Sequence, residues 1–319
     1  MESANSPCYE RFLAKVQELS EWFHRPDPAN KNRLDPNCIE VQVQEMVWDG
    51  GSYRVIEAAR AMAKNGSDGR PEVSTLLHGL LDRCFFESFA MSIRRLLDAR
   101  SDVYSLARVL DEVAANSHLF TRANMLQIRE FPYDYEKVRT DLVKANPPSP
   151  YIGQMVGHEF FRCELSKQVH EDIDKLCGVT PDRRSPCDSI CRSIVTQMRN
   201  SLEDQKEKVV LWVNKFVAHS STSESRTHAR FYERVARPDD LWKAQEMICK
   251  AATFVNAFLL CRFDGSFLAE PTYNHLAHMQ TALVSPEQVG ALRATWDSYR
   301  KEVDSWSRYD KELPFHCES

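Results

Sequence analysis

Apolar residues recur along this chain at intervals of three and four over most of its length. No stretch sustains the two-residue alternation of a half-buried strand, so the pattern predicts helices almost everywhere. Residues 8–24 place Phe12, Val16, Leu19 and Phe23 on one face. The Pro- and Asn-rich segment 25–37 breaks that helix. Asp35 then reads as an N-cap, with Pro36 at the first helical position, for a helix opening at 37–48. Gly50–Gly51 is expected to interrupt it, and a further helix follows to Gly66.

Residues 72–99 carry the first wide apolar stripe, read as Leu76, Leu77, Leu80, Leu81, Cys84, Phe85, Ser88, Met91, Leu96 and Leu97. A helix over 103–115 holds Leu106, Val109, Leu110 and Val113, and shorter helices are predicted over 117–129 and 132–145. The segment 145–154 is a hard stop. Residues 157–177 turn Phe160, Cys163, Leu165, Val169, Ile173 and Leu176 inward, with Gly178 as the C-terminal cap. A long helix over 187–219 has a charged middle at 203–208, which reads as a solvated face or a local break. A polar loop spans 220–230, an amphipathic helix spans 239–263, and Ser285–Pro286 opens the last helix.

The fold class is therefore all-α, a multi-helix bundle. Helices near 72–99, 157–177, 187–219 and 239–263 are expected to form its main core. We divide the chain into an N-terminal helical extension (1–70), a central bundle (71–265) and a C-terminal helical extension (266–319).

Composition alters this picture little. At 319 residues, with 43% apolar and 27% charged residues, the chain has the make-up of a globular protein able to bury a core. A net charge of −5 argues against broad contact with nucleic acid while leaving room for a local site. No apolar run approaches the length of a membrane span, and "MESANSPCYERF" lacks the regions of a secretory signal. The ten cysteines include Cys84, Cys163, Cys249 and Cys261 at apolar helical positions, which suits small core residues in a reducing, cytoplasmic setting.

Candidate chemistry centres on "WVNKFVAHSS", residues 212–221. Lys215 and His219 stand four apart, one turn along the same helical face. Asn214 lies five before the histidine, roughly 140° round. An imidazole can move protons near neutral pH, and a neighbouring cation can stabilise a phosphate gaining charge. Such a pair is minimally sufficient for metal-free RNA cleavage by the ribose 2′-hydroxyl. The alternative is that His219 caps the C-terminus of its helix, where a partly positive ring suits the dipole. Arg94, Arg95 and Asp98 share a helix at spacings of four and three, which predicts an intrahelical ion pair.

Other sets carry less. Cys177, Cys187 and Cys191 with His170 can be written as four metal ligands, but their spacing is unlike a zinc knuckle, and thiols without metal are the reading we adopt. His275 and His278 share a face with no carboxylate in a matching turn. There is no phosphate-binding glycine loop, nucleophile elbow or dinucleotide fingerprint. The tryptophans read as packing anchors.

The segment "NKFVAH" resembles the terminal motif of HEPN domains (higher eukaryotes and prokaryotes nucleotide-binding), usually Arg, a polar residue, three variable residues and His. "SIRRLLDARSDVYSLARVLDEV" (92–113) is similar to the earlier helix pair of the abortive-infection U-type branch, through Arg95, Leu96, Asp98, Ser105, Leu106 and Val109–Leu110. The resemblance covers roughly residues 40–265. It implies an all-α bundle, often a homodimer, acting as a metal-independent ribonuclease or toxin in a defence or toxin–antitoxin system. On that reading His219 is the acid/base group, Lys215 and Asn214 contact phosphate, and Arg94, Arg95 and Asp98 support them. RNA, a second copy and an antitoxin or other protein are the implied partners. No cofactor, metal or membrane is implied. Asn214 occupies the place of the usual arginine and brings no charge. The alternative is accordingly a catalytically inactive HEPN-like module that binds a protein or RNA.

Overall fold

A computed structural model describes residues 7–62, 75–145, 158–213, 238–262, 265–277 and 288–307. Among the described residues ten α-helices pack together: α1 Pro7–His24, α2 Ile39–Met62, α3 Thr75–Leu96, α4 Leu106–Ala115, α5 Arg122–Gln127, α6 Tyr135–Ala145, α7 His158–Cys177, α8 Arg192–Trp212, α9 Pro238–Thr253 and α10 Val289–Ser307. Among the described residues there is no strand, only two isolated bridges, Pro26 with Leu34 and Thr121 with Ser189. No helix among them is long and apolar enough to cross a membrane.

Local chemistry sets the helix ends. Ser105 starts α4 by accepting the Arg108 amide at 3.2 Å, and Thr121 starts α5 by accepting the Asn124 amide at 3.3 Å. Gly178 takes φ +65°, and the Val179 amide reaches back to the Asp174 carbonyl at 2.9 Å, closing α7 as expected. The Asp35 carboxylate does accept the Asn37 amide at 2.7 Å, but only as part of a turn, and α2 begins four residues beyond it.

The glycine pair does not interrupt α2. The helix runs through Gly50 and Gly51 because another helix needs the space. A Cβ on Gly50 would lie 2.7 Å from the Tyr299 hydroxyl, and one on Gly51 would lie 2.8 Å from the Tyr299 ring. The glycines let α10 approach the backbone of α2 closely. Charged residues 203–208 do not break α8 either. Glu203 pairs along the helix with Arg199 and Lys206, which makes this a solvated face.

Two further expectations need correction. Of the expected α3 stripe, Phe85, Met91, Leu96 and, just past the helix, Leu97 pack inward beside His78, Phe89, Ala90 and Ile93, while Leu80, Cys84 and Ser88 are exposed. Too many apolar residues occur on this helix for periodicity to choose the face, and the neighbouring helices choose it instead. Residues 187–191 are not helical. They run beside the start of α5, with the Arg122 amide bonded to the Asp188 carbonyl at 2.7 Å and the Ala123 amide to the Pro186 carbonyl at 3.0 Å.

Helix α9 is the hub and packs against α2, α3, α4, α8 and α10. It continues into a π-helical turn, Phe254–Leu259, which buries Phe254, Val255, Phe258 and Leu259. One apolar cluster runs from Phe12 through Val47, Ile93, Leu110, Val195 and Ile248 to Trp306, so the described helices at both ends share the core of the middle. The α6–α7 pair flanks it and joins through Ile173 and Leu176.

Candidate functional site

Asn214, Lys215 and His219 lie outside the described residues, as does His278. The helix leading toward them is anchored. Val209 and Val213 are fully buried, and α8 packs along α3, α4 and α9.

Arg94 is half-buried and Arg95 exposed at the end of α3. The expected ion pair with Asp98 does not form, because α3 stops at Leu96 and the helical spacing ends with it. The Asp98 carboxylate instead accepts the Arg100 amide and the Arg100 Nε, each at 3.0 Å. The Asp98 carbonyl accepts the Ser105 hydroxyl. Asp98 thus fixes the turn from α3 to α4 and leaves both arginines without it.

The most organised polar site in the described structure lies elsewhere, around Arg122. This guanidinium is completely buried at the start of α5. Its Nε and one Nη donate to Asp188 Oδ2 at 3.0 and 2.9 Å, and the same Nη donates to Asp174 Oδ1 at 2.8 Å. Its other Nη donates to His170 Nδ1 at 3.0 Å and to the His170 carbonyl at 3.1 Å. Arg184 grips Asp174 from the other side with bonds of 2.6 to 3.0 Å. Two guanidiniums and two carboxylates therefore compensate one another.

His170 completes the network. Its Nδ1 faces a cation and so accepts, which leaves the proton on Nε2, and Nε2 donates to the Tyr133 carbonyl at 3.0 Å. Burial pushes its pKa down to about 4, with the nearby Arg122 and Arg184 adding to the effect against the Tyr133 hydrogen bond. It is a neutral ring with both nitrogens engaged, a clamp rather than a proton carrier. The Ser166 hydroxyl secures the same loop through the Pro132 carbonyl at 2.6 Å.

Two members of the network, His170 and Arg184, line a recess of about 510 Å³ together with Asp134, Glu136, Lys167 and Glu171, among others. Its charged rim is mostly carboxylate once Arg184 is spent on Asp174, which is a poor surface for phosphate. The His170 of the four-residue metal set is committed to Arg122 and Tyr133. Among the described residues no group of three metal-ligating side chains gathers.

A second buried set joins α1, α2 and the π-helical turn. His24 Nδ1 meets the Glu40 carboxylate, and its Nε2 lies 2.7 Å from Asn256 Oδ1. His275 sits in a turn rather than a helix, with its ring 4.3 Å from that of Trp296.

Sequence reasoning passed over Arg122 and Asp174. One signal was present. Ser166, His170 and Asp174 stand at intervals of four, and all three fall on the buried face of α7. Polar residues repeating in register with an apolar stripe mark a buried network in need of a partner. Arg122 itself carries no local signal, since its carboxylates come from positions 174 and 188. No protein-family model, curated protein or solved structure matches this chain.

Proposed function

We propose that the protein is a HEPN-like ribonuclease or toxin that cleaves RNA without metal. His219 exchanges the proton, Lys215 and Asn214 contact the phosphate, and Arg94 and Arg95 lend charge. The packing of α8 along both α3 and α4 supports this reading, because the Asn214–His219 segment directly follows α8 and the two arginines end α3. The engagement of Asp98 by Arg100 is a second support, since it leaves Arg94 and Arg95 for an anion. An oxyanion-stabilising cation of this kind typically contributes about 10² to 10³ in rate.

Asn214 favours a second reading, a catalytically inactive module of the same architecture that binds RNA or a protein. A neutral side chain stands where the family places arginine. Incubating the pure protein with total RNA in EDTA separates the two. Cleavage that disappears in His219→Ala supports the nuclease. RNA left intact by both proteins, with binding retained, supports the inactive module. Cleavage that persists in His219→Ala overturns the assignment of the acid/base group.

A further inference from the structure

The mechanism above uses no thiol, yet the fold brings two together. Cys177 is the last residue of α7, and Cys191 immediately precedes α8. The Cys191 amide donates to the Leu176 carbonyl at 2.8 Å. That carbonyl belongs to the peptide unit that enters Cys177. Standard peptide dimensions then hold the two Cα atoms within about 7 Å, the span a disulfide bridges. Both residues are half-buried, both pack on the apolar core, and both are thiols.

Their settings differ. Cys191 stands at the N-terminal, positive end of α8, its carbonyl accepts the Ile194 amide at 3.1 Å, and its sulfur lies 2.9 Å from the Ser193 hydroxyl. A helix N-terminus and a neighbouring hydroxyl both favour thiolate. Cys177 stands at the negative end of α7, which disfavours thiolate there. One sulfur is arranged to react and the other to resolve.

We propose that Cys191 and Cys177 form a peroxide-sensitive dithiol pair whose disulfide staples the end of α7 to the start of α8. The Cys191 thiolate attacks hydrogen peroxide. The O–O bond breaks, hydroxide leaves and takes a proton as water, and Cys191 becomes a sulfenic acid. The Cys177 sulfur then attacks the Cys191 sulfur, the S–O bond breaks, and a second water leaves with the Cys177 proton. Two thiols are oxidised to one disulfide, and one peroxide is reduced to two waters. The closed loop carries Arg184 and Asp188, so the staple fixes the segment that completes the Arg122 network.

The test treats the full-length protein with a small excess of hydrogen peroxide, blocks the remaining thiols, digests without reductant and reads peptides by mass spectrometry. The expected product is a Cys177–Cys191 linked peptide that dithiothreitol cleaves. In Cys177→Ser, Cys191 is expected to stop at the sulfenic acid and be captured by dimedone. In Cys191→Ser, Cys177 is expected to stay reduced at the same dose. Exposed Cys8, Cys84 and Cys187 are internal controls. Oxidation confined to those three in the folded wild-type protein overturns the proposal. So does a linkage of Cys187 to either member of the pair.

Discussion

Gly51→Ala tests the crossing that organises the core. In an ordinary helix interior the substitution stabilises by about 1 kcal/mol, because alanine loses less backbone freedom than glycine on folding. Here the new methyl would lie 2.8 and 2.9 Å from Cε1 and Cδ1 of Tyr299 and 3.1 Å from Cζ3 of Trp296. Comfortable carbon–carbon contact begins near 3.5 Å. The tyrosine has little freedom to retreat. It is 1% exposed, and its hydroxyl lies 3.1 Å from the Val47 carbonyl and 3.0 Å from Gln245 Oε1. Overpacking of this kind costs about 1–3 kcal/mol. The net expectation for Gly51→Ala is a loss of about 1 kcal/mol.

Gly79→Ala supplies the comparison. Gly79 also lies inside a helix, but nothing stands within 4 Å of its Cβ position, so only the propensity gain of about 0.5–1 kcal/mol remains. The same chemical change should therefore move stability in opposite directions at the two sites. With a urea m-value of about 3 kcal/mol/M for a chain of this size, the midpoints should separate by about 0.6 M. Urea unfolding followed by tryptophan fluorescence measures the difference. If Gly51→Ala raises the midpoint as far as Gly79→Ala does, α2 and α10 are not in the contact described, and the argument from the glycine pair fails.

Arg122→Met should destabilise the protein by about 3–5 kcal/mol in urea unfolding, since Asp188 and His170 lose their cationic partner inside the fold. Arg122→Lys should recover little, because an ammonium cannot reproduce the forked contacts to both carboxylates; recovery to within about 0.5 kcal/mol of wild type would contradict the geometry. His170, neutral in the fold to about pH 4, takes up a proton near its ordinary pKa of 6.5 once unfolded. Its contribution is full above pH 6.5 and falls as the pH drops toward 4, by up to about 3 kcal/mol, because the unfolded chain then binds the extra proton. Unfolding free energies measured from pH 7 to 4 should show that slope flattened in His170→Gln, and an unchanged slope would deny His170 this role. Asn214→Arg should raise any metal-independent RNA cleavage in a gel assay by restoring the missing charge, and an equal or lower rate with the fold intact would count against the alignment of that segment.

The all-helical class was legible because apolar spacing is a local property of each segment. Helices α1 and α7 came out close to their expected limits for the same reason, as did the start of α9, which gives way to the π-helical turn after Thr253. The errors fall where a distant part of the chain decides. Gly50 and Gly51 read as a break from local propensity, and it takes Tyr299, far along the chain, to explain why a helix keeps two glycines there. On α3 the expected Phe85, Met91, Leu96 and Leu97 do pack on the core, but Leu80 and Cys84 are exposed while Phe89 and Ile93 are buried, because all of these are apolar and only packing distinguishes them. Residues 187–191 continue the helical spacing of the sequence, yet their backbone pairs with the segment at Phe120–Arg122.

The residues that carry the family resemblance divide by what the fold itself requires. The Ser105 hydroxyl donates to the Asp98 carbonyl and accepts the Arg108 amide, so one side chain both closes the turn after α3 and opens α4. Leu106, Val109 and Leu110 are fully buried, on a helix packed against α8. The Asp98 carboxylate is engaged within its own turn. Each of these positions has a sufficient reason in capping or packing, so their agreement with the motif is silent on catalysis. Arg94 and Arg95 are different. Neither is tied to Asp98, and Arg95 stands in solvent at the end of α3. A charged pair with no such structural duty is where a phosphate contact would be sought. Reversing both, as Arg94→Glu with Arg95→Glu, should therefore weaken RNA binding or cleavage while leaving the urea midpoint close to wild type. A collapse of stability with RNA contact intact would show that these arginines serve the fold as Ser105 does.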